Sequence, residues 1–255
     1  MKHYYCKSRV KYAIIIMISF YLMPQSASAQ GISKLYIGVG HGYGISMADL
    51  SDRFGNSWQT TGGIYYHNFD RKWIIGVEGS GFYGNIVHED ILSNLKDQDE
   101  VLLGINQTVS DVKLRQRGFS GYATIEKIFT FGEGGYSSSG LKIGGGVGFM
   151  SHYIRIQDDT TNNAYLQGDY VQGYNRYCFG PAAKQFIGYH LANQAFNYGL
   201  SIGVEFEEGF TSARRAVDFS SGSAIDQSRL DVLTTFKAKF YLNIGTFGNT
   251  ESIRY

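Results

Sequence analysis

A two-residue alternation of apolar with small or polar side chains recurs about eight times between residues 31 and 255. The connections between the runs alternate between long and short. A period of two belongs to a β-strand whose faces meet different surroundings, because successive side chains point to opposite sides. Eight such strands, joined in turn by long polar loops and tight turns, predict an all-β fold. The expected architecture is an eight-stranded antiparallel transmembrane β-barrel of outer-membrane type with long extracellular loops. A soluble β-sandwich also has short strands. It does not require this alternation of connections, nor an aromatic band on the same face of nearly every strand.

The alternation predicts strands over 34–45, 58–69, 73–86, 113–131, 141–156, 175–190, 196–209 and 229–244. In the seventh, Phe196, Tyr198, Leu200, Ile202, Val204 and Phe206 face lipid, while Asn197, Gly199, Ser201, Gly203, Glu205 and Glu207 face the interior. The sixth carries Pro181, which cannot donate to a ladder and predicts a bulge or a lost bond. Long connections fall at 46–57, 87–112, 157–174 and 210–228, and shorter ones at 70–72, 132–140 and 191–195. Short turns face the periplasm in bacterial barrels, so both termini are expected there. Within 87–112, the spacing of Ile91, Leu92 and Leu95 permits a short helical turn or two.

The first 29 residues read as a secretory signal peptide. Lys2, Lys7, Arg9 and Lys11 precede an apolar run over 13–23, and Ala27 and Ala29 mark cleavage before Gln30. That run is shorter than the roughly twenty residues a membrane helix needs. The residue after the cleavage point is Gln30 and not a Cys, which argues against a lipoprotein. Residues 30–255 then form a single barrel domain in the cell outer membrane. Removing the four basic residues leaves 19 Lys and Arg against 22 Asp and Glu, a net −3, which argues against nucleic acid as a partner. Cys178 alone remains, so no intramolecular disulfide forms. The 33 Gly, 20 Tyr and 17 Phe suit a barrel that needs tightly curved interior positions and aromatic girdles. A mean hydropathy of −0.19 excludes a helical membrane protein but not a barrel.

Placing the apolar face in lipid puts Glu78, Glu126, Glu205 and Glu207 in the lumen with Lys142, Arg176, Lys184, Lys237 and Lys239. His152 and Arg229 fall nearer the outer rim. Buried charges must be paired and hydrogen-bonded, so an interlocked charge network is expected. Eight strands leave an interior just wide enough for side chains, which predicts a packed polar core rather than a pore.

No catalytic residue, cofactor or metal ligand is assigned. Ser151 and His152 are neighbours on one strand and must diverge, and no His-x-Ser or Ser-x-His occurs. The loop Asp158-Asp159-Thr160-Thr161-Asn162-Asn163 offers oxygen ligands but lacks the spacing of a helix–loop–helix calcium site. Arg214-Arg215, at the outer end of strand seven, could meet lipopolysaccharide phosphates. The run Gly144-Gly145-Gly146-Val147-Gly148 lies within a strand with no helix after it, which rules out a phosphate loop.

Several stretches resemble a family of small outer-membrane β-barrel proteins of the Bacteroidota. They include Asp70-Arg71-Lys72-Trp73-Ile74-Ile75-Gly76-Val77-Glu78-Gly79, Gly148-Phe149-Met150-Ser151-His152-Tyr153-Ile154-Arg155-Ile156 and Gly168-Asp169-Tyr170-Val171-Gln172-Gly173-Tyr174-Asn175-Arg176. Further stretches are Gln185-Phe186-Ile187-Gly188-Tyr189, Gly203-Val204-Glu205-Phe206-Glu207-Glu208-Gly209-Phe210-Thr211 with Arg214-Arg215, and Arg229-Leu230-Asp231. In general plan the chain is similar to the PorG- and PorT-like accessory barrels of the type IX secretion and gliding machinery. The resemblance implies no catalytic residue. It implies a structural or accessory component of an envelope complex. Its expected partners are outer-membrane lipid, lipopolysaccharide, and periplasmic or outer-membrane secretion proteins. A free-standing surface adhesin or ligand-binding barrel, and then a small porin, are the other readings the loops and lumen allow. The tail at 245–255 departs from barrels that end on a strand-terminal aromatic.

Overall fold

The computed structural model describes residues 32–104, 108–130, 139–158, 163, 166, 168–192, 197–215, 219–220, 222 and 228–247. The expected signal peptide lies outside these residues, as do Asp159, Thr160, Thr161, Asn162 and Phe196. Eight strands follow in chain order: β1 (Ser33–Ala48), β2 (Ser57–Asn68), β3 (Trp73–Gly84) and β4 (Val112–Thr130), then β5 (Gly140–Asp158), β6 (Cys178–Ala192), β7 (Tyr198–Ala213) and β8 (Ser228–Phe247). A short helix, α1 (Asp49–Arg53), follows β1. The connection after β3 holds one 3₁₀ turn at Ser93–Leu95. Each strand pairs antiparallel with the next, and β8 pairs with β1, so the sheet closes into a barrel.

The register explains how distant residues meet inside. Stepping across paired residues from Tyr36 leads to Tyr65, Gly76, Thr124, Gly146, Lys184, Glu207 and Leu233, then returns to β1 at Ser46. The walk comes back ten residues further along the first strand. This stagger tilts every strand against the barrel axis and sets the narrow bore of an eight-stranded ring.

The faces divide as the alternation requires. Ile64, Val77, Ile125, Val147, Ile202 and Phe236 point outward and are exposed, Val77 by 67% and Val147 by 72%. Aromatic side chains flank this apolar band. Tyr66, Tyr189 and Tyr198 stand at the end of the short turns, and Tyr43, Trp58, Tyr83 and Tyr153 at the end of the long loops. An apolar band between two aromatic girdles is the surface of a membrane-spanning barrel.

Pro181 faces outward in β6. The β6–β7 ladder skips Gly180 and Pro181 without a change of register, so the outcome is a lost bond and not a bulge. The bulge lies elsewhere, where β8 carries one extra residue opposite Leu35 and Tyr36. β8 runs past Ile244 to Phe247, which pairs with Ser33. The strand therefore does end on an aromatic residue, and the expected poorly alternating tail contributes three residues to it.

Glycine is required where Tyr65 crosses the interior. Its ring lies over the backbone of both neighbouring strands: a Cβ at Gly38 or at Gly76 would fall 2.5 Å from it. Inside the barrel, glycine on one strand makes room for a large side chain from the next.

Candidate functional site

The middle of the lumen holds four carboxylates, Glu78, Glu126, Glu205 and Glu207, and four ammonium groups, Lys142, Lys184, Lys237 and Lys239, all buried. They come from β3, β4, β5, β6, β7 and β8, and the stagger brings them to one level. Lys239 reaches Glu78 at 2.9 Å and Glu205 at 3.0 Å. Lys184 pairs with Glu78 and also with Glu205, the latter at 3.0 Å. Lys237 pairs with Glu205 as well. Two carboxylates thus share three lysines, and Tyr65 Oη donates to Glu78 at 2.5 Å.

A second pair stands beside them. Lys142 donates to Glu126 Oε2 at 2.8 Å and to Tyr241 Oη at 3.0 Å, with its ammonium 4.4 Å from the Phe186 ring centre. Glu207 is held by neutral donors: Gln59, Ser120 at 2.8 Å and Tyr122 at 3.0 Å. Each buried charge therefore has an opposite charge or several donors, the condition under which such a core is tolerated.

Arg176 does not join this network. β6 starts at Cys178, and Arg176 has a positive φ of 50°, which ends the extended backbone before the barrel wall begins. Its guanidinium lies in the outer cap, where Nε donates to Glu89 Oε1 at 2.7 Å. Arg53 Nε donates to the other oxygen of Glu89, also at 2.7 Å. Glu89 thereby ties α1 to the segment before β6.

The outer mouth is closed by apolar side chains. Leu50, Phe54, Ile91, Leu92, Leu102 and Tyr174 come down from the loops onto Phe82, Met150, Ile154 and Leu233 of the wall. Beneath them, His152 Nε2 and Asp231 Oδ2 are 2.7 Å apart and both side chains are fully buried. Phe54 meets the His152 ring edge-on at 5.5 Å. Thr211 donates to Asp231, Arg229 reaches it at 3.3 Å, and Arg229 also binds the Asp49 carbonyl. This cluster spans β5, β7 and β8 and was invisible along the chain, because its members share no sequence spacing. Ser151, in contrast, turns outward and donates to the Phe119 carbonyl, as adjacent strand positions require.

A third cluster fills the end of the short turns. His190 Nδ1 and Ser201 Oγ are 2.7 Å apart, and His67 stacks on Phe69. The void among Tyr36, His67, His190 and Tyr241 measures about 10 Å³, room for a single water and no wider passage. Inward parity on β2 and β6 was the signal for these histidines; their contact needed the register. Among the described residues, no group of three His, Cys, Asp or Glu side chains is placed to hold a metal ion.

No protein-family model matches the sequence, and no curated protein matches it significantly. Among solved structures, the chain is similar to Neisserial surface protein A, at 10% identity and a TM-score of 0.44, over 84% of this chain and 99% of that one. It is also similar to Ail, the attachment invasion locus protein of Yersinia pestis, solved with the heparin analogue sucrose octasulfate. There the identity is 11% and the TM-score 0.44, over 84% of this chain and all of that one. The eight-stranded ring described above rests on this chain's own strand pairing.

Proposed function

We propose that this protein is a non-catalytic, non-conducting outer-membrane β-barrel that serves as a structural or accessory component of an envelope complex. The observation that carries this reading is the lumen. It is filled by paired charges and aromatic rings and closed at its outer mouth by the apolar cap, so the barrel offers surfaces and not a passage. The apolar outward band between two aromatic girdles supports the location. Export would follow cleavage of the signal peptide near Ala29. The resemblance to accessory barrels of type IX secretion makes that machinery the partner to test first. Outer-membrane lipid and lipopolysaccharide surround the band, and no nucleic acid is involved.

A crosslinked pull-down of the tagged protein from native envelopes, read by mass spectrometry, tests the proposal. Recovery of periplasmic or outer-membrane secretion components is the expected result. Recovery of the barrel without protein partners would overturn the accessory role and favour a free-standing surface or ligand-binding barrel.

A further inference from the structure

The outward face of β4 changes character abruptly. From the end of the short turns upward it reads Phe129, Lys127, Ile125, Ala123, Gly121, Phe119, and then Arg117, Arg115 and Lys113. β5 does the same: Val147, Phe149 and Ser151 give way to Tyr153 and Arg155. Register places Tyr83, Arg117 and Tyr153 side by side in one row across three strands. Arg115 and Arg155 stand directly opposite each other one step above.

Two like charges at directly opposed positions repel and destabilise a sheet. Among the described residues, no acid offsets this. Arg115 reaches only the Asn85 amide oxygen at 3.5 Å, and Arg117 donates to its neighbour's carbonyl at Gln116. Among the described residues, no carboxylate pairs with Arg115, Arg117 or Arg155. Lys113 pairs with Asp111. Glu208, outward on β7, lies three strands from Arg117 and beside Gln185. Further round, Arg214 and Arg215 lie over the Phe179 and Tyr177 rings. On the opposite side, among the described residues, the outward positions at the same end of β1, β2 and β8 are uncharged and include Tyr43, Ile45, Met47, Trp58, Leu230 and Val232.

The geometry points to an anion held on the outside of the barrel, at the level where the apolar band ends. We infer that Arg115, Arg117 and Arg155 bind the phosphate of an outer-leaflet phosphoglycolipid of the lipid A type, with Tyr83 and Tyr153 against its sugar and upper acyl chains. Three arginines at adjacent outward positions of two paired strands suit the several oxygens of a phosphomonoester, which accepts paired hydrogen bonds. Aromatic residues directly beside the arginines, at the edge of an apolar wall, fit a ligand that is charged above and apolar below. The lipid is favoured over a free ion because the wall immediately beneath, Phe119 and Phe149 with ring centres 5.8 Å apart, is apolar and outward. This inference rests on the outer-membrane reading and names one lipid contact within it.

Binding of lipid A to the refolded full-length mature barrel in detergent tests the inference. The probes are bisphosphorylated lipid A, its dephosphorylated form, and inorganic phosphate as competitor. Arg115→Gln/Arg117→Gln/Arg155→Gln should weaken lipid A binding at least about tenfold, since each charge-assisted bond is worth more than that factor. Removing the lipid's phosphates should weaken binding to the unaltered protein similarly, which needs no variant to fold. Arg155→Gln alone should give an intermediate loss. Lys127→Gln, at the other end of β4, should bind as the unaltered protein does. Equal binding of both lipid forms, equal binding by the triple variant, or displacement by equimolar inorganic phosphate would each overturn the inference. Membrane fractionation of the tagged protein separates the two levels. Outer-membrane recovery without phosphate-dependent binding sinks the site alone, whereas recovery elsewhere sinks the location beneath it.

Discussion

Lys142 and Glu126 form an ion pair of 2.8 Å in which the side chains are 0% and 1% exposed. Glu126→Leu would strand the ammonium with only Tyr241 Oη and the faces of Phe186 and Tyr241. Loss of one partner of a buried pair costs about 3–5 kcal/mol. The urea midpoint of the refolded barrel in detergent should fall accordingly. Glu126→Leu/Lys142→Met, which removes both charges, should recover most of the loss. A double variant no more stable than the single one would show that the pair is not what the site requires.

Tyr65 and Gly76 make a second test. Gly76→Val would place a Cβ 2.5 Å from the Tyr65 ring and 2.9 Å from the Ile64 carbonyl oxygen. Overpacking of this kind costs about 1–3 kcal/mol. The change should also disturb the hydrogen bond from Tyr65 to Glu78. Gly81→Ala on the same strand, where a new Cβ meets nothing within 4 Å, is the control and should leave stability unchanged. The folded band on unheated gels and the unfolding midpoint report both.

The cap should be separable from the barrel. Glu89→Ala removes the shared acceptor of Arg53 and Arg176. Because Glu89 is about a third exposed, the loss should be modest, roughly 1 kcal/mol. Faster hydrogen exchange and faster trypsin cleavage within 85–104 should follow, with the strands still protected. Unchanged exchange there would mean that the apolar contacts of Leu50, Phe54, Ile91 and Leu92 hold the cap without the bridge.

The filled lumen predicts electrical silence. Purified protein added to a planar bilayer should give no stepwise conductance above background. Steps that persist across voltages would mean that the Glu78–Lys184–Glu205–Lys239 cluster opens, and the accessory reading would yield to a channel.

Strand number, facing and order could be read from the chain, because alternation and loop length are local properties. Boundaries moved by a few residues: the seventh strand runs to Ala213 and the eighth to Phe247. Eight of the nine residues expected in the lumen charge network lie buried inside the barrel. The ninth, Arg176, was placed there by extending the period of two past the true start of β6. A left-handed backbone at that position is not announced by an arginine. What the sequence hid were contacts set by register and stagger. They include the His152–Asp231 pair, the His190–Ser201 contact and the facing of Arg115 with Arg155. The rule of polar residues inside also fails at the outer mouth, where Leu233, Met150 and Ile154 point inward. They do so because the loops supply an apolar lid for them to pack against.

The pairing of β1 with β8 has a bearing on biogenesis. The first strand of the barrel is the one that must wait for the last, since its second edge is satisfied only by Ser228–Phe247. Until then a chain in transit carries an open β-edge, and its lysines and glutamates have not met. A chain lacking 228–247 therefore has no partner for the free edge of β1 and cannot close the ring seen here. Closure of the ring thus depends on a single seam between the two ends of the barrel.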